Sequence, residues 1–316
     1  VSFRGFIDLH THGIQGYDTR TGDYEKILKM AELHGSRGAR AILLSIYPGK
    51  LDQMRRNMEA VRRAMEVQRR QAATMQQLEH SGVAAGNPGG GALCNSYPPG
   101  LILGVHLEGP FLNPKRCGAL EKSSFTKPSV SFLKNLVGGY EEIVKIITIA
   151  PEMPGALPVI ERCSGMGIKV NMGHSDATWQ EAVKGKKAGA TGITHLFNAM
   201  RPFHHREPGL AGLGLIDEDL YTEVIADGVH IHAKALELIF SLKRLDRIIL
   251  VSDSVKSEKK KGMAVYQRKG VLAGSRATLS EAADLLRSIG IPEAEIIEAA
   301  LDNPGRYIGY PRPGNR

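Results

Sequence analysis

The stretch Phe6-Ile7-Asp8-Leu9-His10-Thr11-His12-Gly13 ends an apolar run with two imidazoles one residue apart. Successive strand side chains alternate faces, so on a short buried strand His10 and His12 point the same way, as a chelating pair does. Gly13 lets the backbone turn at once, which sets the pair at the strand's C-terminal end. Alone, the motif also fits two exposed loop histidines. Downstream, four more groups of the same chemistry follow apolar runs: Glu108, His174, His195 and Asp253. A lone histidine is usually a satisfied core or surface group and a lone carboxylate is usually solvated, so the set gains meaning only by converging. Together, histidines and carboxylates without thiolate suit Zn²⁺ or Fe²⁺, with Mn²⁺ acceptable, better than Mg²⁺, for one or two ions.

The elements that must position these groups read as alternating strands and helices. Candidate strands are Phe6–His10, Ala41–Ser45, Leu101–His106, Ile143–Ile149, Ile168–Asn171, Thr191–His195, Tyr221–Ala226 and Arg247–Val251, most followed by a turn and a helical pattern. Capping boxes at Thr178/Glu181 and Thr278/Glu281 open two of the helices. Strands separated by helices pair in parallel, and eight such units close a barrel, so the α/β chain is expected to be one (β/α)8 TIM-type domain over 1–316. Every candidate group then sits where a strand stops, on the rim where active sites of this architecture lie.

Composition narrows the rest. The 316 residues are 42% hydrophobic and 23% charged, average for a soluble chain large enough for one barrel. The net charge of +8 comes from basic residues spread among acidic ones, with only 6% aromatics, which fits anionic small substrates better than nucleic acid. Three cysteines, Cys94, Cys117 and Cys163, are odd in number and far apart, so neither a disulfide framework nor a zinc knuckle is indicated and a cytoplasmic setting is expected. No apolar run is long enough to span a membrane and no export signal opens the chain.

Two segments break the rhythm. From Leu51 a long helix carries Met54, Met58, Val61, Met65, Ala72 and Met75 as a core-facing stripe, with arginines as a solvated face. Gly86 to Gly91 is a glycine-rich loop without the Lys-Ser/Thr of a phosphate cradle, and Lys256–Lys261 reads as an exposed charged loop. No G-x-S-x-G, H-E-x-x-H or Walker motif is present, and Ser175 and Ser252 read as supports beside presumed ligands.

With the set in hand, the chain resembles the N-acetylglucosamine-6-phosphate deacetylases of the amidohydrolase superfamily. The resemblance rests on Gly5-Phe6-Ile7-Asp8-Leu9-His10-Thr11-His12-Gly13, His106-Leu107-Glu108-Gly109-Pro110-Phe111-Leu112-Asn113, Gly173-His174-Ser175, Thr194-His195-Leu196-Phe197-Asn198-Ala199-Met200, His204-His205-Arg206-Glu207-Pro208-Gly209, Ala226-Asp227-Gly228-Val229-His230, Ser252-Asp253, Leu272-Ala273-Gly274-Ser275 and Asn303-Pro304-Gly305, in the family's order. It implies Glu108, His174 and His195 as ligands of the principal metal, His10 and His12 as holders of a second, and Asp253 as the acid/base. His230 is implied to stabilise the oxyanion of a substrate acetamide, with glucosamine 6-phosphate and acetate as products. Asn198 and the backbone of Ala199 would meet sugar or phosphate oxygens. Arg206 would bind the phosphate through paired donors, and because the family's Arg here reaches into the neighbouring subunit, a homodimer is implied.

Several features depart from the family. Its K-x-G-A-H-N motif appears as Lys115-Arg116-Cys117-Gly118-Ala119-Leu120-Glu121, and Leu120 cannot donate a hydrogen bond, a loss of ~0.5–1.5 kcal/mol that bears on sugar preference. Arg4 replaces a usual proline, the stretch between Asp253 and Leu272 is shortened, and the small accessory β-domain built from both chain ends is expected to be largely missing. The competing readings are a related amidohydrolase acting on another N-acyl amino sugar or cyclic amide, and a non-catalytic sugar-phosphate-binding descendant.

Overall fold

A computed structural model describes residues 5–80, 100–256, 265–268 and 271–310. Eight parallel strands form one sheet in sequence order: β1 (Phe6–Thr11), β2 (Ala39–Ile46), β3 (Leu101–Glu108), β4 (Val144–Ile149), β5 (Lys169–Met172), β6 (Gly192–Ile193), β7 (Tyr221–Ile225) and β8 (Ile248–Val251). All eight expected strands are present. The sixth is shorter than expected, because His195 leaves the extended conformation at φ 28° and ends the ladder. The sheet closes at its C-terminal rim, where the Asp253 amide donates to the His10 carbonyl at 2.8 Å and the His12 amide to the Ser254 carbonyl at 2.8 Å. Three candidate ligands, His10, His12 and Asp253, therefore make the seam of the barrel with Ser254.

Both faces of the sheet are buried, which is why its strands read as continuous apolar runs rather than alternating ones. Ile7, Leu9, Leu43, Ile146, Ile225 and Ile249 fill the interior, while Ile42, Leu44, Val105 and Ile147 meet the surrounding helices. The helices include α1 (Tyr24–Gly35), α2 (Leu51–His80), α3 (Val130–Val137), α4 (Ala156–Gly165), α5 (Trp179–Lys187), α6 (Gly209–Ile216), α7 (Ala233–Leu242) and α8 (Leu279–Ser288). Both expected capping boxes open their helices, at α5 and α8. A last helical stretch, Asn303–Ile308, lies against β1 and β8.

On α2, Met54, Met58, Val61 and Met65 are buried as expected, whereas Ala72 is exposed, because the helix has by then run past the sheet edge that covers its earlier turns. The side chain of Met75 lies outside the described residues, as do Arg4, Cys94, Gly86 to Gly91 and most of Lys256–Lys261. Cys117 and Cys163 are free thiols. Among the described residues, no helix is long and apolar enough to cross a membrane.

Candidate metal centre and active-site cavity

Ile7 and Leu9 already fill the barrel interior, so strict alternation would turn His10 and His12 outward. They do not turn outward. The register of β1 against β2 slips by one residue between Asp8 and Thr11, and both imidazoles face the mouth with their Nε2 atoms 3.2 Å apart. Glu108, the last residue of β3, lies between two nests of donors. Its Oε1 is 3.1 Å from His174 Nε2 and 3.2 Å from His195 Nε2, and those two nitrogens are 3.2 Å from each other. On the other side, Glu108 Oε2 is 3.2 Å from His12 Nε2, and Asp253 Oδ1 is 3.6 and 3.7 Å from the Nε2 atoms of His10 and His12. The six groups singled out in the sequence therefore converge, as the two triads Glu108/His174/His195 and His10/His12/Asp253.

This arrangement fits a cation. His174 Nδ1 lies 2.9 Å from the Arg116 carbonyl and His10 Nδ1 lies 3.0 Å from Glu223 Oε2, so each donates its Nδ1 proton and keeps a lone pair on Nε2. Lone pairs aimed at one another and at carboxylate oxygens from 3.1 Å repel unless a positive charge lies among them. The separations match those of tetrahedral ligands around Zn²⁺, about 3.3 Å for bonds of 2.0–2.1 Å. Electrostatics agree. Burial opposes charge on His10, yet the Glu108 and Glu223 carboxylates and nearby Asp253 outweigh it and hold that imidazole well above its usual pKa. Against burial, Glu108 and Asp253 likewise raise His195, and against its own burial Glu108 is held well below the carboxylate range by the His12 and His174 imidazoles. Such a pocket of buried carboxylates favours added positive charge.

The backbone is strained where the ligands leave their strands. His174, His195 and Asp253 have φ of 46°, 28° and 45°, and Phe197 and Ala199 have 70° and 49°. Left-handed non-glycine residues cost on the order of 1–3 kcal/mol each and cluster where surrounding structure enforces a functional geometry. Here Glu152 supplies part of that enforcement. Its Oε1 accepts from the Asn113 amide at 2.8 Å and the Asp176 N–H at 2.6 Å, and its Oε2 accepts from Ser175 Oγ at 2.7 Å, tying the loops after β3 and β5 together. Ser175 and Ser252 thus act as supports, Ser252 Oγ accepting from the Ser254 N–H at 3.1 Å.

The donors floor a cavity of about 1060 Å³. Asn198, Ala199 and His230 line it, and so does Leu120. His230 Nδ1 lies 2.7 Å from Asp227 Oδ2, so a carboxylate orients the ring and leaves Nε2 as its free position. Arg206 is elsewhere: it is exposed, 3.2 Å from His205 Nε2 and outside the cavity of its own chain. The neighbouring Glu207 accepts instead from the Trp179 and Gly209 amides.

The amidohydrolase family model matches residues 3–292. The chain belongs to the amidohydrolase family. It is 30% identical to the N-acetylglucosamine-6-phosphate deacetylase of Bacillus subtilis (strain 168), across 100% of the chain and 77% of that relative. It is 32% identical to the N-acetylgalactosamine-6-phosphate deacetylase of Escherichia coli O157:H7, across 71% of the chain and 65% of that relative. Among solved structures, the N-acetyl-D-glucosamine-6-phosphate deacetylase of Mycobacterium smegmatis superposes with a TM-score of 0.78 at 28% identity, over 98% of this chain and 79% of that one. These likenesses bear out the resemblance read from the motifs, and the amidohydrolase fold accounts for the closed parallel barrel with its donors at the strand ends.

Sequence reasoning missed the groups that orient this amidohydrolase site. Glu223 lies within the seventh strand, Asp227 just beyond it, and Glu152 follows the fourth. The available signal was a glutamate inside the apolar run Tyr221–Ala226, a charge that a buried strand does not carry without a partner. Nothing in that run names the partner. His106, two residues before Glu108 on β3, belongs to a third grouping with His10 and Glu223, but its ring nitrogens are taken by the Leu9 carbonyl at 3.1 Å and Thr148 Oγ1 at 2.8 Å, and burial pushes its pKa down to about 3. It is a neutral, satisfied core histidine.

Proposed function

We propose that the protein hydrolyses the acetamide of N-acetyl-D-glucosamine 6-phosphate to D-glucosamine 6-phosphate and acetate. The carrying observation is the triad Glu108/His174/His195 with Asp253 beside it at the floor of a cavity large enough for a sugar phosphate. Glu108, His174 and His195 would hold a divalent cation, Zn²⁺ or Fe²⁺ with Mn²⁺ acceptable, and His10, His12 and Asp253 could hold a second. When bound, the cation supplies Lewis acidity and makes water acidic enough to be a nucleophile near neutral pH.

Asp253 then accepts a proton from the attacking water as the new C–O bond forms, and returns it to the sugar nitrogen as the C–N bond breaks. His230, its Nδ1 held by Asp227, would meet through Nε2 the oxygen on which negative charge develops, donating to it when the ring carries both protons. Asn198 and the Ala199 backbone hold sugar or phosphate oxygens. Arg206, exposed and outside its own cavity, would serve the phosphate site of a second copy in a homodimer, its guanidinium offering paired donors. A cytoplasmic setting for amino-sugar catabolism follows from the same reading. Leu120 in the wall and the likeness to an N-acetylgalactosamine-6-phosphate deacetylase favour that C4 epimer as a second substrate reading.

The test is acetate release by protein supplied with Zn²⁺, Fe²⁺ or Mn²⁺, using both 6-phosphorylated N-acetyl hexosamines and unphosphorylated N-acetylglucosamine. Turnover selective for a phosphorylated sugar is expected, and the preferred epimer decides between the two readings. A metal-loaded protein that releases no acetate from either phosphorylated sugar would overturn the assignment.

A further inference from the structure

Beneath the metal centre a line of buried polar groups crosses the barrel interior. Glu223, which orients His10 through Oε2, accepts through Oε1 from Asn171 Nδ2 at 2.8 Å. Asn171 Oδ1 in turn accepts from the Tyr307 hydroxyl at 2.5 Å, and that hydroxyl lies 3.0 Å from Thr191 Oγ1. The carboxylate can only accept, so the Asn171 N–H₂ points at Glu223 and its Oδ1 is left to accept from the Tyr307 hydroxyl, while Glu223 Oε2 accepts from His10 Nδ1. The other ring nitrogen of His10, Nε2, faces Glu108 and Asp253.

Tyr307 reaches this position from the last helical stretch and is 3% exposed, with its ring 4.7 Å from that of Tyr221. The fit leaves no slack. A Cβ on Gly192 would stand 2.2 Å from Asn171 Oδ1 and 2.7 Å from the Tyr307 hydroxyl, so this strand residue must be glycine for the line to close. Burying four polar groups along a barrel axis is costly unless all are satisfied, and these are.

We infer that Tyr307 is a positioning residue: acting through Asn171, it holds Glu223 against His10 Nδ1, which keeps Nε2 as the ring nitrogen aimed at a metal ion. The inference rests on His10 as a ligand, which the proposed function also uses, but its test does not depend on turnover. Zinc-loaded protein labelled with ¹⁵N-histidine is compared by NMR with Tyr307→Phe, which keeps the packed ring and removes only the hydroxyl, and with Tyr221→Phe, which removes a neighbouring hydroxyl outside the line. His10 resonances are identified by their loss in His10→Asn. Zinc affinity is measured in parallel by competition with a chelator.

In the parent protein and Tyr221→Phe, His10 is expected to show a protonated Nδ1 and no proton on Nε2. In Tyr307→Phe the Nδ1 proton should exchange faster with water as Glu223 loses its fixed position, and the weaker zinc equilibrium should loosen by ~3–10-fold, below the 10–100-fold typical of a direct partner of a ligand because the effect passes through two groups. An unchanged His10 signature and affinity in Tyr307→Phe, or equal changes in Tyr221→Phe, would overturn the inference. A parent protein that binds no zinc would instead remove His10 as a ligand, which separates that failure from this one.

Discussion

Replacing Asp253 with asparagine separates proton transfer from cation binding, and the structure says why this substitution is clean. Asp253 has φ 45°, a conformation that asparagine tolerates about as well as aspartate but that alanine does not. Its backbone closes the barrel through the His10 carbonyl and the Ser275 N–H, and neither bond uses the side chain. An amide oxygen in place of Oδ1, 3.6–3.7 Å from the two Nε2 atoms, remains a donor to a cation. What disappears is the proton acceptor. General base catalysis contributes ~10²–10⁴-fold, so kcat should fall by that factor, or about 2.7–5.4 kcal/mol of activation free energy. The triad Glu108/His174/His195 keeps its charge, so about one equivalent of metal should stay bound and the melting temperature should hold within a few degrees. Acetate release, metal analysis and thermal unfolding on one preparation check all three. Turnover within about threefold of the parent with metal retained would refute the role of Asp253, whereas loss of metal together with activity would make it chiefly a ligand.

Other outcomes follow from the same geometry. Arg206→Ala should weaken phosphorylated substrates, raising KM by tenfold or more while leaving an unphosphorylated N-acetyl sugar little changed; equal effects on both would show that Arg206 does not read the phosphate. His34, buried in the last turn of α1 and 3.1 Å from Thr11 Oγ1, has its pKa pushed by burial down to about 3 from an ordinary 6.5. Its folded pKa lies below its unfolded one, so the unfolded chain binds the proton first and stability falls as pH drops from about 6.5 toward 3. Between pH 7 and 5 this amounts to roughly 2 kcal/mol. Urea midpoints at the two pH values should therefore converge in His34→Gln, and an unchanged acid sensitivity would count against the assignment. Cys163 is fully buried and burial pushes its pKa up to about 12, so it should resist iodoacetamide until the chain unfolds; alkylation of the folded protein at Cys163 would show that this packing opens.

Much was legible in the chain itself. Alternating apolar runs and capped helices specify a parallel barrel because a strand buried on both faces must be apolar throughout, and the candidate ligands stand out because each interrupts the end of such a run. The six donors could thus be named without coordinates. Their direction could not. Period-2 alternation from Ile7 and Leu9 sends His10 outward, and only a one-residue slip between β1 and β2, a property of two strands together, turns it inward. The placement of Arg206 outside its own cavity also depends on how the loop after β6 packs, which residue types alone do not dictate. The groups that orient the donors were hidden for a related reason. Glu223, Asn171 and Tyr307 each look like isolated polar residues in their own segments, since a hydrogen bond between residues 136 positions apart leaves no local pattern. The sequence determined the chemistry available and the strand ends that carry it, while tertiary packing decided which donors face one another, because burial makes every polar group find a partner but does not say where in the chain that partner is.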